Sequence, residues 1–497
     1  MAIGPFLLAA IGGQGGVKVC GAPGTLSLSA GGTPATQIAL SWSAPSDTGG
    51  GTVSGYRIKK DGSTLVADTG STGTTYTATG LTRVTSYNFN VAAINEKGTG
   101  ADGNTPSLTT SAEVPGAPGT LSLSAGSPAT TAINLSWSAP SDTGGATITG
   151  YRIKKNGSTL VANTGTTGTT YSATGLTQNT SYNFNVAAIN SIGTGTDGNT
   201  PSLTTAAPFS ASGGTETSYT GYKSHTFTSS GSFVVSGSAG DVDILVVAGG
   251  GPGGVYTQPG GGGGAGGMQT STSVSATVGS HTITIGGGGS GSLPSYPTPL
   301  ANGADSSGLS VTSTGGGNGG TAEDGQYQAG DGGSGGGTSR TSGDNAEGAG
   351  TAGQGNDGGS GASASIPFEC IIVSAGGGGG KGAVGATSTA NCSGAWTGGA
   401  GGNGAVNAYK TGSNITYAGG GGGSVVFSAW GSGSGSFSGG AGGTGGGGDA
   451  ESENGQNDQT GGDPNTGGGG GGVTNTSGHD TTSTNGGSGI VVIRYAV

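Results

Sequence analysis

Charge is the first thing this 497-residue chain lacks: Asp, Glu, Lys and Arg make up 8% of it, against about 25% in an ordinary globular domain. The few charges are unevenly placed. Residues 1–208 are near neutral, whereas residues 209–497 hold 5 Lys/Arg against 17 Asp/Glu, which accounts for the overall net charge of −11. With no basic patch to neutralise phosphates, no nucleic-acid partner is expected. Three cysteines (Cys20, Cys370, Cys392) are too few for a disulfide framework. Cys370 and Cys392 could pair, but Cys370 lies in an apolar stretch and reads as a buried thiol. His225, His281 and His479 lie far apart, none with a Cys or His partner at metal-ligand spacing. No phosphate-binding GKS or GKT sequence occurs, and serines within the glycine runs meet no nucleophile-elbow context. The opening MAIGPFLLAAIGG is too short to span a membrane and has no basic residues ahead of its apolar core. The expectation is a protein with no catalysis, no cofactor, no metal and no membrane span. Its polarity comes from Ser, Thr and Asn, a composition suited to an extracellular adhesive surface.

Glycine is what the chain has instead. Of 122 glycines, 89 lie within residues 209–497, in runs such as 261–267, 376–380, 419–423 and 467–472. Glycine buries no side chain and loses the most backbone entropy on folding, so such a chain stays disordered unless backbone packing compensates. No G-X-Y register exists for a collagen helix. Consecutive glycines can instead adopt the polyproline II conformation, with about three residues per turn and no internal hydrogen bonds. Neighbouring helices must then pair their N–H and C=O groups with one another. Four apolar segments interrupt the glycine (242–251, 369–380, 415–427 and 488–497), and they argue for order rather than a solvated linker.

Residues 22–112 and 117–207 repeat one unit at an offset of 95: SWSAPSDTGG recurs at 41–50 and 136–145, GYRIKK at 55–60 and 150–155, SYNFNVAAIN at 86–95 and 181–190. Each unit alternates apolar and polar residues, as in IALSWSA, between turn clusters; about seven short strands make a β-sandwich. With Trp42, Tyr56, Leu81, Tyr87, Phe89, Val91 and Asn95, repeated at Trp137, Tyr151, Leu176, Tyr182, Phe184, Val186 and Asn190, each unit resembles a fibronectin type III domain. The resemblance implies a tyrosine corner at Tyr87 and Tyr182 and a spacer role. The link SAEVPGAPG (111–119), with two prolines, should hold the sandwiches semi-rigidly.

The fold class expected is all-β: two sandwiches (21–112 and 113–208), a glycine-rich domain (209–497) of short strands and polyglycine II helices, and an N-terminal attachment arm (1–20). The arm could dock on a partner or on copies of the chain; the alternative is a strand tucked against the first sandwich. Residues 209–240 suggest two strands, and GIVVIRY should pair back with 242–248 or 370–374. Acidic clusters at 323–324 and 449–453 could hold calcium through oxygen ligands, but read better as solvated loops.

The strand ending LVVAGGG, the glycine-rich body and the final GGSGIVVIRY resemble the glycine-rich domain of tailed-bacteriophage tail fibres and other virion structural proteins. The resemblance implies a virion protein, bound to other virion proteins through its N-terminal region. It would touch a host glycan or outer-membrane protein through loops such as 290–312, 323–332, 387–397, 406–417 and 450–466. Asn391, Trp396, Tyr409, Asn414 and Trp430 are the candidate contacts, the tryptophans alternatively being wedges between glycine layers. A purely structural virion component and a secreted bacterial adhesin or matrix protein are the alternatives, the last disfavoured by the missing basic n-region.

Overall fold

The computed structural model describes residues 16–256, 259–291, 300–321, 328–339, 346–366, 370–390, 395–428, 436–452, 458–474 and 484–497. The chain forms two compact units, Met1–Ala206 and Ala207–Val497.

The first unit holds the two sandwiches. In the first, Ser27–Ala30, Ile38–Ser41 and Thr75–Ala78 form one sheet. Ser63–Val66, Gly55–Lys60, Ser86–Asn95 and Gly98–Asp102 form the other, with Ser107–Thr109 paired to Ser86–Asn95. Alternation places Ile38, Leu40, Ile58, Phe89 and Val91 in one buried core, where the Trp42 ring meets Tyr56 edge-on at 5.1 Å. The tyrosine corner is present: the Thr82 N–H donates to the Tyr87 hydroxyl at 2.8 Å, and Thr177 repeats this with Tyr182 at 2.9 Å. Lys18–Cys20 belong to this sandwich rather than to a free arm, since the Lys18 N–H bonds the Gly49 carbonyl at 2.8 Å and Cys20 is buried. The remainder of the expected arm, residues 1–15, lies outside the described residues. At the junction the Arg83 guanidinium bonds Asp142 at 2.6 Å and Glu113 at 2.8 Å, which ties the sandwiches together.

The second unit is a β-sandwich carrying a slab of glycine helices. Its larger sheet has the order Thr215–Tyr219, Tyr222–Phe227, Ile490–Ala496, Gly240–Val247, Met268–Ala276. Its smaller sheet joins Ser210–Ser212, Gly231–Ser236 and Gly279–Ile283. Residues 209–240 therefore hold four strands besides the start of Gly240–Val247, not two. Their Ser, Thr and Gly content hides the period of two that apolar residues would show. The final strand pairs with Gly240–Val247, as expected, and with Tyr222–Phe227 on its other edge. Val491, Ile493 and Tyr495 face the sandwich core, while Ile490 and Val492 face Leu245, Val247, Ala265, Met268 and Tyr417 on the glycine side.

The slab's hydrogen bonds have a period of three. In the run 260–267, Gly260, Gly263 and Gly266 donate to Val473, Gly470 and Gly467; Gly261, Gly264 and Gly267 donate to Gly320, Gly317 and Thr314; Gly262 and Ala265 donate to Gly376 and Gly379. Three further segments donate to the same run: Ala248, Gly251 and Gly254; Ser334 and Gly337; Gly421 and Ser424. One polyglycine II helix thus has six neighbours, and every third residue faces the same one. The runs 375–381 and 418–424 pair with it and with each other through Gly378 and Gly421. Only glycine fits such closeness. A Cβ on Gly262 would stand 2.0 Å from the Gly421 carbonyl oxygen, and one on Gly264 2.1 Å from that of Ser334. Ala265 is tolerated because its methyl enters the apolar cluster beneath the sheet.

Candidate functional site

The antiparallel strands Ala405–Asn407 and Ile415–Tyr417 form a hairpin that rests on tyrosines from the start of the unit. The Tyr219 hydroxyl donates to the Tyr409 carbonyl at 2.8 Å and the Ser224 hydroxyl to the Lys410 carbonyl at 2.8 Å. Gly412, at φ +81°, turns the chain so close to Tyr219 that a Cβ there would lie 2.8 Å from its ring. Inside the hairpin the Asn407 side-chain oxygen accepts the Tyr409 N–H at 2.7 Å.

Arg494 links hairpin and sheet. Its Cζ lies 3.9 Å from the Tyr409 ring centre and 4.5 Å from that of Tyr222, within cation–π range, while its Nε bonds Asp243 at 3.0 Å. Tyr219 and Tyr222 stack at 5.8 Å. All three tyrosines are half-buried, and Thr411, Ser413 and Asn414 at the hairpin's turn are exposed. Burial, and next the Asp243 carboxylate, raise the Tyr409 phenol above its usual range, so it stays a neutral hydroxyl. Aromatic faces with hydroxyl and amide groups at their rim suit a polyhydroxylated ligand.

Of the expected contact residues, Tyr409 and Asn414 lie in the same hairpin, Tyr409 half-buried and Asn414 exposed. The structure removes Trp396 from the surface: at 4% exposure the indole stacks on Phe437 at 4.5 Å and packs on Ile372 and Val425, the wedge role. Asn391 and Trp430 lie outside the described residues, as do Cys392 and the Cys370 side chain. Sequence reading missed Tyr219, Tyr222 and Arg494. The pair of tyrosines around Thr220-Gly221 was the available signal.

Several described acidic residues of the slab loops hold turns, while the cluster 323–324 lies outside the described residues. Asp305, Asp331, Asp357 and Asp449 accept the N–H groups of Gly315, Ala349, Gly350 and Gly442 at 2.7–2.8 Å. Glu451, 2% exposed, accepts that of Thr474 at 2.7 Å. No group of metal-ligating side chains occurs among the described residues, and no helix there is long and apolar enough to cross a membrane.

Comparison with known proteins divides at the same boundary. Residues 226–496 match the glycine-rich domain, and residues 21–110 and 116–205 each match the fibronectin type III domain. Over 180 residues the chain is 34% identical to exoglucanase B of Cellulomonas fimi, covering 35% of the chain and 16% of that protein. It is 38% identical over 169 residues to chitinase A1 of Niallia circulans (33% and 22%), and 34% identical over 172 residues to neogenin of Rattus norvegicus (33% and 12%). The chain thus spans less than a quarter of each relative. These relatives are named as polysaccharide-degrading enzymes of bacteria and as neogenin, not as virion proteins, which overturns the expected tailed-bacteriophage fibre and its place on a virion. The strands LVVAGGG and GIVVIRY close a glycine-rich domain, and that pairing is a property of the fold rather than a mark of a particle.

Proposed function

Because this chain belongs to the glycine-rich domain family, with two fibronectin type III sandwiches before it, we propose that it is a secreted bacterial adhesin or matrix protein that binds polysaccharide. The sandwiches act as spacers, the slab as a stiff mount, and the hairpin 405–417 as the contact surface. The observation that carries this reading is the seating of Tyr409 beside Tyr219 and, with Tyr222, against Arg494, on a hairpin that also carries the exposed Asn414. The relatives' names, which refer to glucan and chitin, support the ligand class. No catalytic step is included: the described slab acids named above hold turns.

The test is sedimentation of the intact protein with insoluble β-glucan and with chitin. The parent should be depleted from solution by at least one. Asn414→Ala should weaken binding with no change in melting, and Tyr409→Ala should abolish it. Equal depletion of parent and both variants would overturn the assignment of the hairpin.

A further inference from the structure

At the other edge of the large sheet from Tyr219 lies a cavity of about 260 Å³, lined by Met268, Gln269, Thr270, Ala352, Gly353, Gln354 and Lys381. Its walls are fixed by the slab. The turn at 351–355 is closed by the Gln354 and Gly355 N–H groups on the Thr351 carbonyl, and Met268 N–H bonds the Gln354 carbonyl at 3.0 Å. The Gln354 side-chain oxygen accepts the Thr314 N–H at 2.7 Å, leaving its amide N–H groups as donors. The Gln269 amide N–H is held by the Thr312 carbonyl at 2.9 Å, leaving its oxygen as an acceptor.

Lys381 is the feature without a structural explanation. Its main chain is locked by bonds to Ala418 and Asn356, and its ammonium touches the Gly353 carbonyl. The cations of the large sheet have carboxylate partners, Lys223 with Glu216 and Arg494 with Asp243. Lys381 has none within salt-bridge distance among the described residues. Desolvation lowers its pKa with nothing opposing it. A half-buried cation in a part of the chain with 17 acidic residues is costly without an anion.

We propose that this pocket binds one hexuronate unit of an otherwise neutral polysaccharide, its carboxylate on the Lys381 ammonium and the Gln354 amide, its hydroxyls on Gln269, Thr270 and the Gly353 carbonyl. The volume, just under the 300–1,000 Å³ range of drug-sized sites, suits a single sugar ring. The net charge of −12 on residues 209–497 repels a polyanion, which separates an isolated uronate from a polyacidic peptide. The pocket is distinct from the hairpin and can fail without it.

The intact protein is titrated with glucuronate, glucose, acetate and polyglutamate at constant ionic strength, with binding read by calorimetry. Glucuronate should saturate, at least about tenfold tighter than glucose, acetate or polyglutamate, the factor expected for one charge-assisted hydrogen bond. Lys381→Gln should lose about tenfold or more while melting no lower than the parent, and Lys381→Arg should retain binding. Tyr409→Ala should leave glucuronate binding unchanged, and Lys381→Gln should leave sedimentation with neutral glucan or chitin unchanged, so the two sites are judged separately. Acetate binding as tightly as glucuronate would mean an adventitious anion site only. That result, equal binding of glucose, tighter polyglutamate, or an unaffected Lys381→Gln overturns the proposal.

Discussion

Replacing Gly262 by alanine would put a methyl carbon 2.0 Å from the Gly421 carbonyl oxygen and 2.8 Å from the Gly378 nitrogen, both main-chain atoms of packed helices. Reaching an ordinary contact of 3.4 Å requires the two helices to part by about 1.4 Å. That movement breaks the bonds Gly262 N–H to Gly376 O at 3.0 Å, Gly378 N–H to Gly421 O at 2.8 Å and Gly421 N–H to Gly263 O at 2.9 Å. At about 1–2 kcal/mol each for groups left unsatisfied in a buried lattice, the loss is about 3–6 kcal/mol. That is a large share of the roughly 5–15 kcal/mol holding a domain together. Gly287 is the matched control: it lies exposed, with nothing within 4 Å of its Cβ position and no positive φ. Alanine there should stabilise by about 0.4–1 kcal/mol by restricting the unfolded chain. Calorimetry of the intact protein reads both, with the sandwiches as an internal reference. The glycine unit should melt on the order of 10 °C lower for Gly262→Ala and no lower for Gly287→Ala. Equal melting of the two variants would refute the lattice argument, since it would mean that interhelical closeness is not what selects glycine.

Tyr417 is 2% exposed, its hydroxyl has no hydrogen-bond partner among the described residues, and burial pushes its pKa up to about 12. Its proton is held more tightly folded than unfolded, so stability should fall as pH rises from about 10 to about 12. Tyr417→Phe should remove that slope in alkaline melts and stabilise by about 1–3 kcal/mol. Lys381 has the opposite sense: its folded pKa is lowered, so stability rises with pH as the unfolded chain loses its extra proton, and Lys381→Met should flatten that rise. At the sandwich junction Arg83, by hydrogen bond first, lowers the Asp142 pKa. The link should therefore hold above the ordinary carboxylate range and loosen as pH falls below about 4. Relaxation measurements should show the two sandwiches tumbling independently in acid, and at neutral pH in Arg83→Gln.

The sequence laid out the sandwiches almost completely because each core position has a side chain that declares it. Trp42, Tyr56, Tyr87 and Phe89 recur 95 residues on, and both copies pack them alike. Even the junction was written in the repeat, in the places where it breaks: Arg83 stands opposite Gln178 and Glu113 opposite Lys18. The pair that bridges the sandwiches therefore occurs once, where the first meets the second. The glycine unit was legible only in kind. Its runs, their threefold period and their need for partners follow from what glycine cannot do, but one glycine run is chemically the same as another, so nothing in 260–267 announces that its neighbours come from 248–254, 314–320, 334–337, 376–379, 421–424 and 467–473. For the same reason the proposed contact surface was half visible. Tyr409 and Asn414 stood out as rare side chains in a bland stretch, whereas Tyr219 lies 190 residues from its partner and Arg494 sits in a strand whose apolar residues drew the reading. In such a domain, information about position is concentrated in the few residues that are not glycine. Trp396 shows that rarity alone does not distinguish a wedge from a contact, because an aromatic ring fills a gap in a glycine lattice as readily as it meets a ligand. What separates them is the partner. Trp396 lies flat on Phe437 inside the slab, while Tyr409 lies over the Arg494 guanidinium in a half-buried place on the hairpin.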